Sequence, residues 1–432
     1  MTAWSERRLH FIGIGGAGMS GLALVCHQLG ASVSGSDRAE STYMERLRAA
    51  GLTPAVGHAA ENLPDECEVV VSTAIDDENP ELELARERGQ AVIHRGELLA
   101  ELCAERRLIA IAGTHGKTTT TAMVTWALRA AGADPAFFLG GELPGAGPNG
   151  EDANAAWGGG EWAVAEADES DASFLRLQPD VAVITNLEMD HHSRWGSLAE
   201  LREAFERFAA KASSVAIGPG VELDFAGTEP LRFDAGSPGP AELPLAVPGR
   251  HNLLNARAAL AALQLAGFEA DVAAALGDFP GVRRRLELKG TRNGARIYDD
   301  YAHHPTEVRA ALEALRGTEP RRLIAVFQPH LYSRTKAFAE EFGAALSLAD
   351  EVGVLDVYAA REEPIGELEG VSGIEVATAA AQRSGGRPVW WLVDAERAEV
   401  ALAPELRDGD VLVTIGAGDI FELAERLAEA QS

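Results

Sequence analysis

Two glycine-rich segments constrain the fold of this chain more than any other feature of its sequence. The first is GIGGAG at residues 13–18 and the second is GTHGKT at residues 113–118, and each lies between an apolar strand pattern and a helical one. In such loops the backbone N–H groups and the positive end of the helix dipole attract a phosphate. The chain is therefore predicted to contain two α/β units that bind different phosphorylated ligands.

Short apolar strands alternate with helical patterns along the rest of the chain, which predicts parallel sheets covered by helices on both faces. At roughly 150 residues per domain, 432 residues correspond to about three domains. The predicted fold class is α/β, with an N-terminal Rossmann-like domain (1–105), a central P-loop ATP-binding domain (106–290) and a C-terminal Rossmann-like domain (291–432).

The composition excludes some classes of partner. The chain carries 38 basic and 66 acidic residues, so its formal net charge is −28. This acidic excess argues against binding to nucleic acid or to an anionic membrane surface, since both require clustered positive charge. No apolar run reaches about 18 residues, the N-terminus shows no secretory signal, and the three cysteines suit neither a metal site nor a disulfide framework. We expect a cytoplasmic protein with no membrane insertion and no nucleic-acid partner.

The second glycine loop carries the strongest chemical signal. Lys117 is expected to neutralise phosphate charge and the Thr118 hydroxyl to bind Mg²⁺; a plain helix start is the alternative. Glu166 and His191 follow the ends of two later strands, where a carboxylate and an imidazole can share a further Mg²⁺, although solvated surface acids are the alternative. The first loop predicts a nucleoside diphosphate, with Asp37 near the place of a ribose-reading acid, but it does not distinguish a UDP-sugar from NAD.

Polar residues also gather in the last part of the chain. Segments 299–305 (DDYAHHP) and 328–334 (QPHLYSR) end two strands that we expect to be adjacent, and the carboxyl ends of such strands form the usual ligand edge of a doubly wound sheet. Asn252 and Asn255 lie three residues apart at a helix start, where they either read an adenine edge or cap the helix. The arginine run 283–285 suits a phosphoryl group or is a solvated linker.

Six segments resemble the Mur ligase family and occur in its order: GIGGAGMSG, AGTHGKTTTTAM, AEADESDASFLRLQP, PGRHNLLNA, DDYAHHPTEV and FQPHLYSRT. The resemblance runs over nearly the whole chain, and the motifs ADESDAS and DDYAHHPTEV are typical of the branch that adds the first amino acid. It implies that the first domain binds a UDP-sugar, that the central domain binds ATP and Mg²⁺, and that the third domain binds the amino acid.

The resemblance implies a set of residues for each ligand. The implied catalytic residues are Lys117, Glu166, His191, His303 and Arg334, and the implied Mg²⁺ ligands are Thr118, Glu166 and His191. The implied ATP-binding residues are Gly113, Thr114, His115, Gly116, Lys117, Thr118, Thr119, His251, Asn252, Asn255, Arg284, Arg285 and Asp299. The implied substrate-binding residues are Gly15, Gly16, Ala17, Gly18, Met19, Ser20, Ser36, Asp37, His58, Tyr301, His303, His330 and Arg334. Leu331 stands where the family commonly has an arginine, so the amino-acid carboxylate is expected to rest on Arg334 alone or on a displaced residue.

The activity implied by the resemblance is the ATP-dependent joining of L-alanine to the lactyl carboxylate of UDP-N-acetylmuramate through an acyl phosphate, in cytoplasmic peptidoglycan precursor synthesis. Three alternatives stay open. One is a murein-peptide ligase that adds a recycled tripeptide to the same sugar nucleotide, and another is an NAD(P)-dependent oxidoreductase built on the first glycine loop. The third is a non-catalytic sensor that binds the UDP-sugar without consuming ATP. The expected partners are the substrates, and the expected assembly is a monomer or a weak homodimer.

Overall fold

The computed structural model describes residues 3–189, 194–227, 229–236, 243, 245–268, 272–360 and 362–429. Its strands form sheets of five, seven and six strands, which confirms the predicted α/β class. The chain divides into two compact units, one made of residues 1–245 with 253–280 and the other of residues 246–252 with 281–432. The first two sheets lie in the first unit and the third lies in the second. Across the described ranges, every helix is too short or too polar to cross a bilayer.

The first sheet consists of β1 (Arg8–Ile12), β2 (Ser32–Asp37), β3 (Ala55–Val56), β4 (Glu68–Val71) and β5 (Val92–His94). All are parallel, in the order β3-β2-β1-β4-β5. The helices are α1 (Ala17–Gln28), α2 (Thr42–Ala49), α3 (Pro80–Glu87) and α4 (Arg95–Cys103). β1 is the middle strand and is covered on both faces, so four of its five residues are buried, among them the polar His10. The first glycine loop therefore leaves the centre of the sheet at its carboxyl edge.

The second sheet consists of β6 (Arg107–Ala112), β7 (Ala136–Leu143), β8 (Ala153–Ala156), β9 (Trp162–Glu166), β10 (Val181–Ile184), β11 (Ser214–Ile217) and β12 (Leu231–Arg232). Their order is β12-β11-β10-β6-β9-β7-β8, and β8 runs antiparallel to β7. The helices are α5 (Lys117–Ala130), α6 (Leu198–Ala209), α7 (Arg250–Leu265) and α8 (Val272–Ala275). Since β6 lies between β9 and β10, the second glycine loop emerges beside the carboxyl ends of both.

The first two sheets pack against each other within the first unit, through α1 and β8. The buried Asn154 amide donates to the carbonyl of Ala17 at 2.5 Å and to the hydroxyl of Ser20 at 3.1 Å. A Cβ on Gly21 would lie 2.9 Å from the Cβ of Ala155, so a glycine is needed for the helix to approach the strand this closely. One apolar core contains buried residues of both sheets.

We expect the substitution Asn154→Ala to lower the free energy of unfolding by about 1–3 kcal/mol, because it removes two hydrogen bonds from a buried contact. Chemical denaturation followed by circular dichroism measures the change. Asn149→Ala, in an exposed loop of the same sheet, is the matched control and should have almost no effect. Equal stability of the two variants would contradict the proposed importance of this contact.

The third sheet consists of β13 (Glu287–Arg292), β14 (Ala295–Asp300), β15 (Arg322–Phe327), β16 (Glu351–Leu355), β17 (Val389–Val393) and β18 (Asp410–Ile415). The order is β13-β14-β18-β15-β16-β17, with β13 antiparallel to β14. The helices are α9 (Pro305–Arg316), α10 (Tyr332–Leu346), α11 (Gly373–Arg383), α12 (Ala395–Leu402) and α13 (Phe421–Glu429).

Two sequence-based expectations bear on this sheet. The polar segments 299–305 and 328–334 lie at the carboxyl ends of β14 and β15, which flank β18 and do not pair with each other, so the expectation of adjacent strands is wrong. Because all three strands are parallel, both segments still emerge at the same carboxyl edge. The predicted domain boundaries stay a prediction; β13 starts at Glu287 and joins the third sheet.

Candidate active site

The first glycine loop is shaped by the end of β2. Gly13 has a φ of +81°, a conformation that favours glycine, and the N–H groups of Gly13 and Ile14 donate to the carbonyl of Ser36. The Gly15 N–H donates to Oδ2 of Asp37 at 2.9 Å. The Asp37 carboxylate therefore lies at the loop itself and already satisfies one of its N–H groups.

The first turn of α1 offers mainly its backbone to a ligand. Gly16 precedes the helix, and Ala17 and Gly18 begin it. The side chains of Met19 and Ser20 are buried, and the Ser20 hydroxyl donates to the carbonyl of Ala17 at 3.0 Å. Because the first N–H groups of a helix have no partner within it, this turn suits a diphosphate.

Ser36 and His58 are connected by a residue that sequence reasoning missed. Glu81, in the first turn of α3, is fully buried and accepts a hydrogen bond from the Ser36 hydroxyl at 2.7 Å. The same hydroxyl lies 2.9 Å from Nδ1 of His58. Glu81 is also 2.7 Å from Nε2 of His10, which is 71 positions away in sequence. No local pattern signals a contact over this separation.

An open cleft runs through the first unit from α1 to the carboxyl end of β9. Gly18 lines it on one side, and Glu166 and Asp168 line it on the other. Arg95 also lines the cleft, and its Nη2 donates to Asp168 at 3.1 Å and to Asp171 at 2.7 Å. Sequence reasoning missed Arg95, because its partners lie on another sheet. The cleft thus connects the first glycine loop with the acidic end of β9.

Both glycines of the second loop are required by close contacts. Gly113 has a φ of +126° and Gly116 a φ of +82°. A Cβ on Gly113 would lie 2.1 Å from Oγ1 of Thr185, and one on Gly116 would lie 2.3 Å from Oδ1 of Asn255. Any larger residue would displace the loop. Asn255, one of the predicted nucleotide contacts, therefore lies directly against the phosphate loop.

The Lys117 ammonium is held at the mouth of this loop. Its Nζ donates to the carbonyls of Gly113 at 2.7 Å and Thr114 at 3.2 Å, and to the buried Glu169 carboxylate at 3.0 Å. Burial lowers the pKa of Lys117, but the negative charges of Glu169 and Asp168 outweigh burial and raise it overall. Lys117 is therefore positively charged at neutral pH and lies against the backbone of the second glycine loop.

Thr118 and Glu166 meet at the carboxyl edge of the second sheet. The Thr118 hydroxyl and the Gly140 N–H both donate to Oε2 of Glu166, each at 2.8 Å. A hydroxyl and a carboxylate are hard oxygen ligands of the kind that Mg²⁺ prefers. Segment 166–171 contains four acids, and within the part of the chain that the structure describes Arg95 and Lys117 pair with three of them. The oxygen donors of Thr118 and Glu166 fit Mg²⁺.

The turn after β10 supports the phosphate loop, and sequence reasoning missed it. The Asn186 side chain accepts from the His115 N–H at 2.9 Å and donates to the His115 carbonyl at 2.9 Å. The Thr185 hydroxyl donates to the same carbonyl at 2.6 Å, and the Thr114 hydroxyl donates to the Glu188 carbonyl at 2.9 Å. The available signal was the polar pair that directly follows an apolar strand.

Two further predicted residues complete this region. Thr119 is buried in the first turn of α5, so its backbone is the part nearest to the loop. His191 lies outside the described residues. The structure thus places Thr118 and Glu166 together, while the expectation for His191 stays a prediction.

Arg284 and Arg285 have different surroundings in the second unit. Arg284 has a φ of +60°, and its guanidinium donates to the buried Asp299 at 3.1 Å and to the Gly416 carbonyl at 2.8 Å. Arg284 and Asp299 therefore serve contacts within the unit. Among the described residues, the ion-pair partner of Arg285 is Glu307 at 4.0 Å. The guanidinium of Arg285 therefore has more N–H groups left for a phosphate than that of Arg284. The ATP contacts predicted for Arg284 and Asp299 stay a prediction.

The three predicted contacts on α7 are divided between the units. His251 and Asn252 belong to the second and Asn255 to the first. Burial lowers the pKa of His251 to about 4, and the charge of Arg285 adds to the effect, so the ring is neutral at pH 7. The Asn252 amide donates to the carbonyl of Pro248 at 2.8 Å, which fixes its orientation at the start of the helix.

His303 follows β14 at the carboxyl edge of the third sheet. Burial and, to a smaller extent, the charge of Arg334 lower its pKa to about 4, although Glu307 acts in the opposite direction. Nδ1 lies 3.0 Å from the carbonyl of Tyr301. A carbonyl only accepts, so Nδ1 carries the proton and the neutral ring keeps its lone pair on Nε2. His303 can therefore accept a proton at Nε2.

His330 and Arg334 lie close to His303 in the same unit. The ring centroids of His303 and His330 are 6.1 Å apart, and His330 stacks on Tyr358 with centroids 5.8 Å apart. Leu331 has a φ of +70°, which is unusual for a leucine, and this turn leads directly into α10. Arg334 is half-buried in the first turn of that helix. The third sheet thus brings together most of the residues predicted for an amino-acid pocket.

Comparisons with known proteins agree with this architecture. Residues 8–107 match the catalytic domain of the Mur ligase family, residues 111–219 its middle domain and residues 284–418 its glutamate ligase domain. UDP-N-acetylmuramate–L-alanine ligase from Renibacterium salmoninarum is 44% identical over 98% of this chain and 96% of that protein. The enzyme of the same name from Kineococcus radiotolerans is 46% identical over 96% and 94%.

Two solved structures share the fold. The crystal structure of UDP-N-acetylmuramate–alanine ligase from Thermotoga maritima has a TM-score of 0.81 and 30% identity, covering 98% of both chains. A murein peptide ligase from Psychrobacter arcticus has a TM-score of 0.69 at 24% identity, a likeness of fold. With relatives of such identity over nearly its whole length, the chain belongs to the Mur ligase family.

Proposed function

We propose that this protein is an ATP-dependent ligase that joins L-alanine to the lactyl carboxylate of UDP-N-acetylmuramate and releases ADP and phosphate. The observation that carries the proposal is the cleft that leads from the first glycine loop to Glu166 beside the phosphate loop. A sugar nucleotide held by its diphosphate at α1 can extend along this cleft toward the γ-phosphate of ATP. The relatives that are 44% and 46% identical carry the name of this activity.

The first chemical step is the formation of an acyl phosphate. A lactyl carboxylate oxygen attacks the γ-phosphorus, and the bond to the β,γ-bridging oxygen breaks so that ADP leaves with that electron pair. Negative charge builds on the transferred phosphoryl oxygens. The Lys117 ammonium and the N–H groups at the start of α5 offset that charge from fixed positions, so little reorganisation is needed during the reaction.

Mg²⁺ belongs to the proposal because the donor set fits it. Thr118 and Glu166 would hold the ion, and His191 is proposed as a further ligand by the family resemblance. When bound, Mg²⁺ would neutralise phosphate charge. The Gly140 N–H orients the Glu166 carboxylate and keeps its Oε2 beside the Thr118 hydroxyl.

In the second step the alanine amine attacks the acyl carbon and displaces inorganic phosphate. The amine must be neutral to attack, and it loses a proton as the amide forms. We propose that Nε2 of His303 accepts this proton, since the lone pair is on that nitrogen. Tyr301, His330 and Arg334 are the proposed remaining parts of the alanine pocket.

The nucleotide of ATP is proposed to contact residues at the N-terminal end of α7. Asn255 lies against Gly116, which supports a position near the bound phosphates. His251 and Asn252 are proposed contacts of the adenosine moiety, and Arg285 is the proposed arginine for a phosphoryl group. The excess negative charge of the chain supports a protein without nucleic-acid or membrane partners. We propose a cytoplasmic monomer or weak homodimer.

Release of ADP in the presence of UDP-N-acetylmuramate and one amino-acid substrate at a time tests the activity. L-Alanine should give rapid release and the recycled tripeptide little, because the relatives of high identity are named for alanine. Rapid release with the tripeptide alone would favour the murein-peptide ligase. A change in absorbance at 340 nm with NAD(P) would instead favour the oxidoreductase.

Arg334→Lys should raise the KM for alanine by at least about tenfold, because lysine cannot reproduce the two-pronged contact of a guanidinium with a carboxylate. The KM values for ATP and UDP-N-acetylmuramate should change much less. Arg383→Lys is the matched control, since Arg383 pairs at 2.6 Å with Glu340 of the same helix α10. Steady-state kinetics with each substrate varied in turn makes the comparison. Equal changes in all three KM values would exclude Arg334 as the carboxylate contact.

A further inference from the structure

A buried carboxylate organises the edge of the first sheet beside the glycine loop. Glu81 is fully buried and accepts hydrogen bonds from the Ser36 hydroxyl at 2.7 Å, the Ala59 N–H at 3.0 Å and the Asn62 amide at 3.1 Å. Nε2 of the equally buried His10 lies 2.7 Å away. This number of donors around one carboxylate indicates that it is ionised, because each hydrogen bond favours the charged form.

The ionised carboxylate determines where the proton of the next residue lies. Glu81 has no proton to donate, so the Ser36 hydroxyl gives its only hydrogen to Glu81. The oxygen of Ser36 must then accept from Nδ1 of His58, which lies 2.9 Å away. The proton of a neutral His58 ring is therefore on Nδ1 and the lone pair is on Nε2.

His58 presents that lone pair at the ligand edge of the sheet. Ser36 and Asp37 of β2 pair with Ala55 and Val56 of β3, and His58 follows β3. The side chain of His58 is 20% exposed, and among the described residues its Nε2 has no hydrogen-bond partner. The same end of β2 accepts the N–H groups of the glycine loop, so a nucleoside attached to a diphosphate at that loop would lie beside His58.

We propose that Glu81 fixes the tautomer of His58 so that Nε2 accepts a hydrogen bond from N3–H of uracil, which makes the site select uridine over cytidine nucleotides. The inference rests on the proposed function, which supplies the UDP-sugar substrate. Uracil carries a hydrogen on N3, whereas N3 of cytosine is an acceptor that would face the lone pair of Nε2. Glu81 is thus a positioning residue, and His58 is the residue that contacts the base.

Calorimetric titration of the full-length protein with UDP and with CDP, without ATP, tests the proposal. The unmodified protein should bind UDP at least about tenfold more tightly than CDP, as expected when one nucleobase leaves a buried polar group without a partner. His58→Asn removes the acceptor at the position of Nε2 and should reduce the ratio to within about threefold. His27→Asn makes the same change on α1, outside the cluster, and should leave the ratio unchanged.

Glu81→Gln tests the role of the carboxylate itself. The new amide can donate to Ser36, which frees the Ser36 hydrogen for Nδ1 and moves the His58 proton to Nε2. The variant should therefore bind UDP more weakly relative to CDP, and its KM for UDP-N-acetylmuramate should rise while its kcat and its KM for ATP stay within about threefold. If Glu81 only stabilised the fold, the ratio of the affinities for UDP and CDP would be the same in the variant as in the unmodified protein.

Two results would overturn the inference: equal binding of UDP and CDP by the unmodified protein, or an unchanged ratio in His58→Asn. His58→Asn changes a partly exposed side chain and so keeps the test available if Glu81→Gln does not fold. The proposed ligase activity is tested separately by ADP release. If the protein does not ligate but its UDP-to-CDP affinity ratios are as expected, only the proposed activity is contradicted. If it ligates but the variants leave this ratio unchanged, only the role of His58 and Glu81 is contradicted.

Discussion

Replacement of Lys117 by alanine is expected to abolish ADP release while UDP-N-acetylmuramate still binds. The ammonium lies at the mouth of the phosphate loop and is held there by the carbonyls of Gly113 and Thr114 and by Glu169. Loss of one fixed cation opposite the transferred phosphoryl group should reduce kcat by about 10³-fold. The sugar nucleotide should keep its affinity, because its proposed diphosphate site is the first glycine loop.

The measurement combines ADP release with calorimetric binding of UDP-N-acetylmuramate. Lys211→Ala is the matched control, because Lys211 lies in the turn between α6 and β11, where its side chain donates to the carbonyl of Leu175. Lys117→Ala leaves the carboxylate of Glu169 buried without its cation, which can destabilise the fold. The double variant Lys117→Ala/Glu169→Gln removes this charge and should be equally inactive. Loss of sugar-nucleotide affinity in the stable double variant would show that the two sites are not separable.

Glu166→Gln should raise the Mg²⁺ concentration required for half-maximal activity by at least about tenfold. The substitution keeps the size of the side chain but replaces a charged oxygen by an amide, which a hard cation binds less well. The amide nitrogen of the new glutamine cannot accept a hydrogen bond. It therefore cannot replace the carboxylate oxygen that accepts from both the Thr118 hydroxyl and the Gly140 N–H. Titration of ADP release with Mg²⁺ measures the shift. Glu161→Gln, an exposed acid just before β9, is the control, and identical titration curves for the two variants would remove Glu166 from the metal site.

The features that could be predicted from sequence are those encoded within one short segment. The strand, glycine turn and helix that surround Lys117 are consecutive, so local pattern was sufficient to place the lysine at a helix start. Parallel strands then brought Glu166 to the same edge, since β9 pairs directly with β6. The polar ends of β14 and β15 were correctly expected at one sheet edge, although β18 lies between them.

Contacts between distant segments could not be predicted in this way. Glu81 is buried against His10 although 71 positions separate them, and Arg95 bonds to Asp171 across 76 positions. In each case the sequence shows only an ordinary charged residue in an amphipathic helix. The roles of the two arginines could not be predicted for a different reason. The positive φ of Arg284 turns its guanidinium back onto Asp299, and the guanidinium of Arg285 is left with fewer partners.

The apolar core that continues from the first sheet into the second has a consequence for the lifetime of the protein. Two sheets that share one core should lose their structure in a single cooperative transition. A ligand on either glycine loop then protects the other loop as well, and a ligand at about 100 times its Kd contributes about 2.7 kcal/mol against unfolding. Because degradation by proteases depends on the unfolded population, the supply of sugar nucleotide and ATP would regulate how much of the protein persists, independently of how fast it turns over substrate.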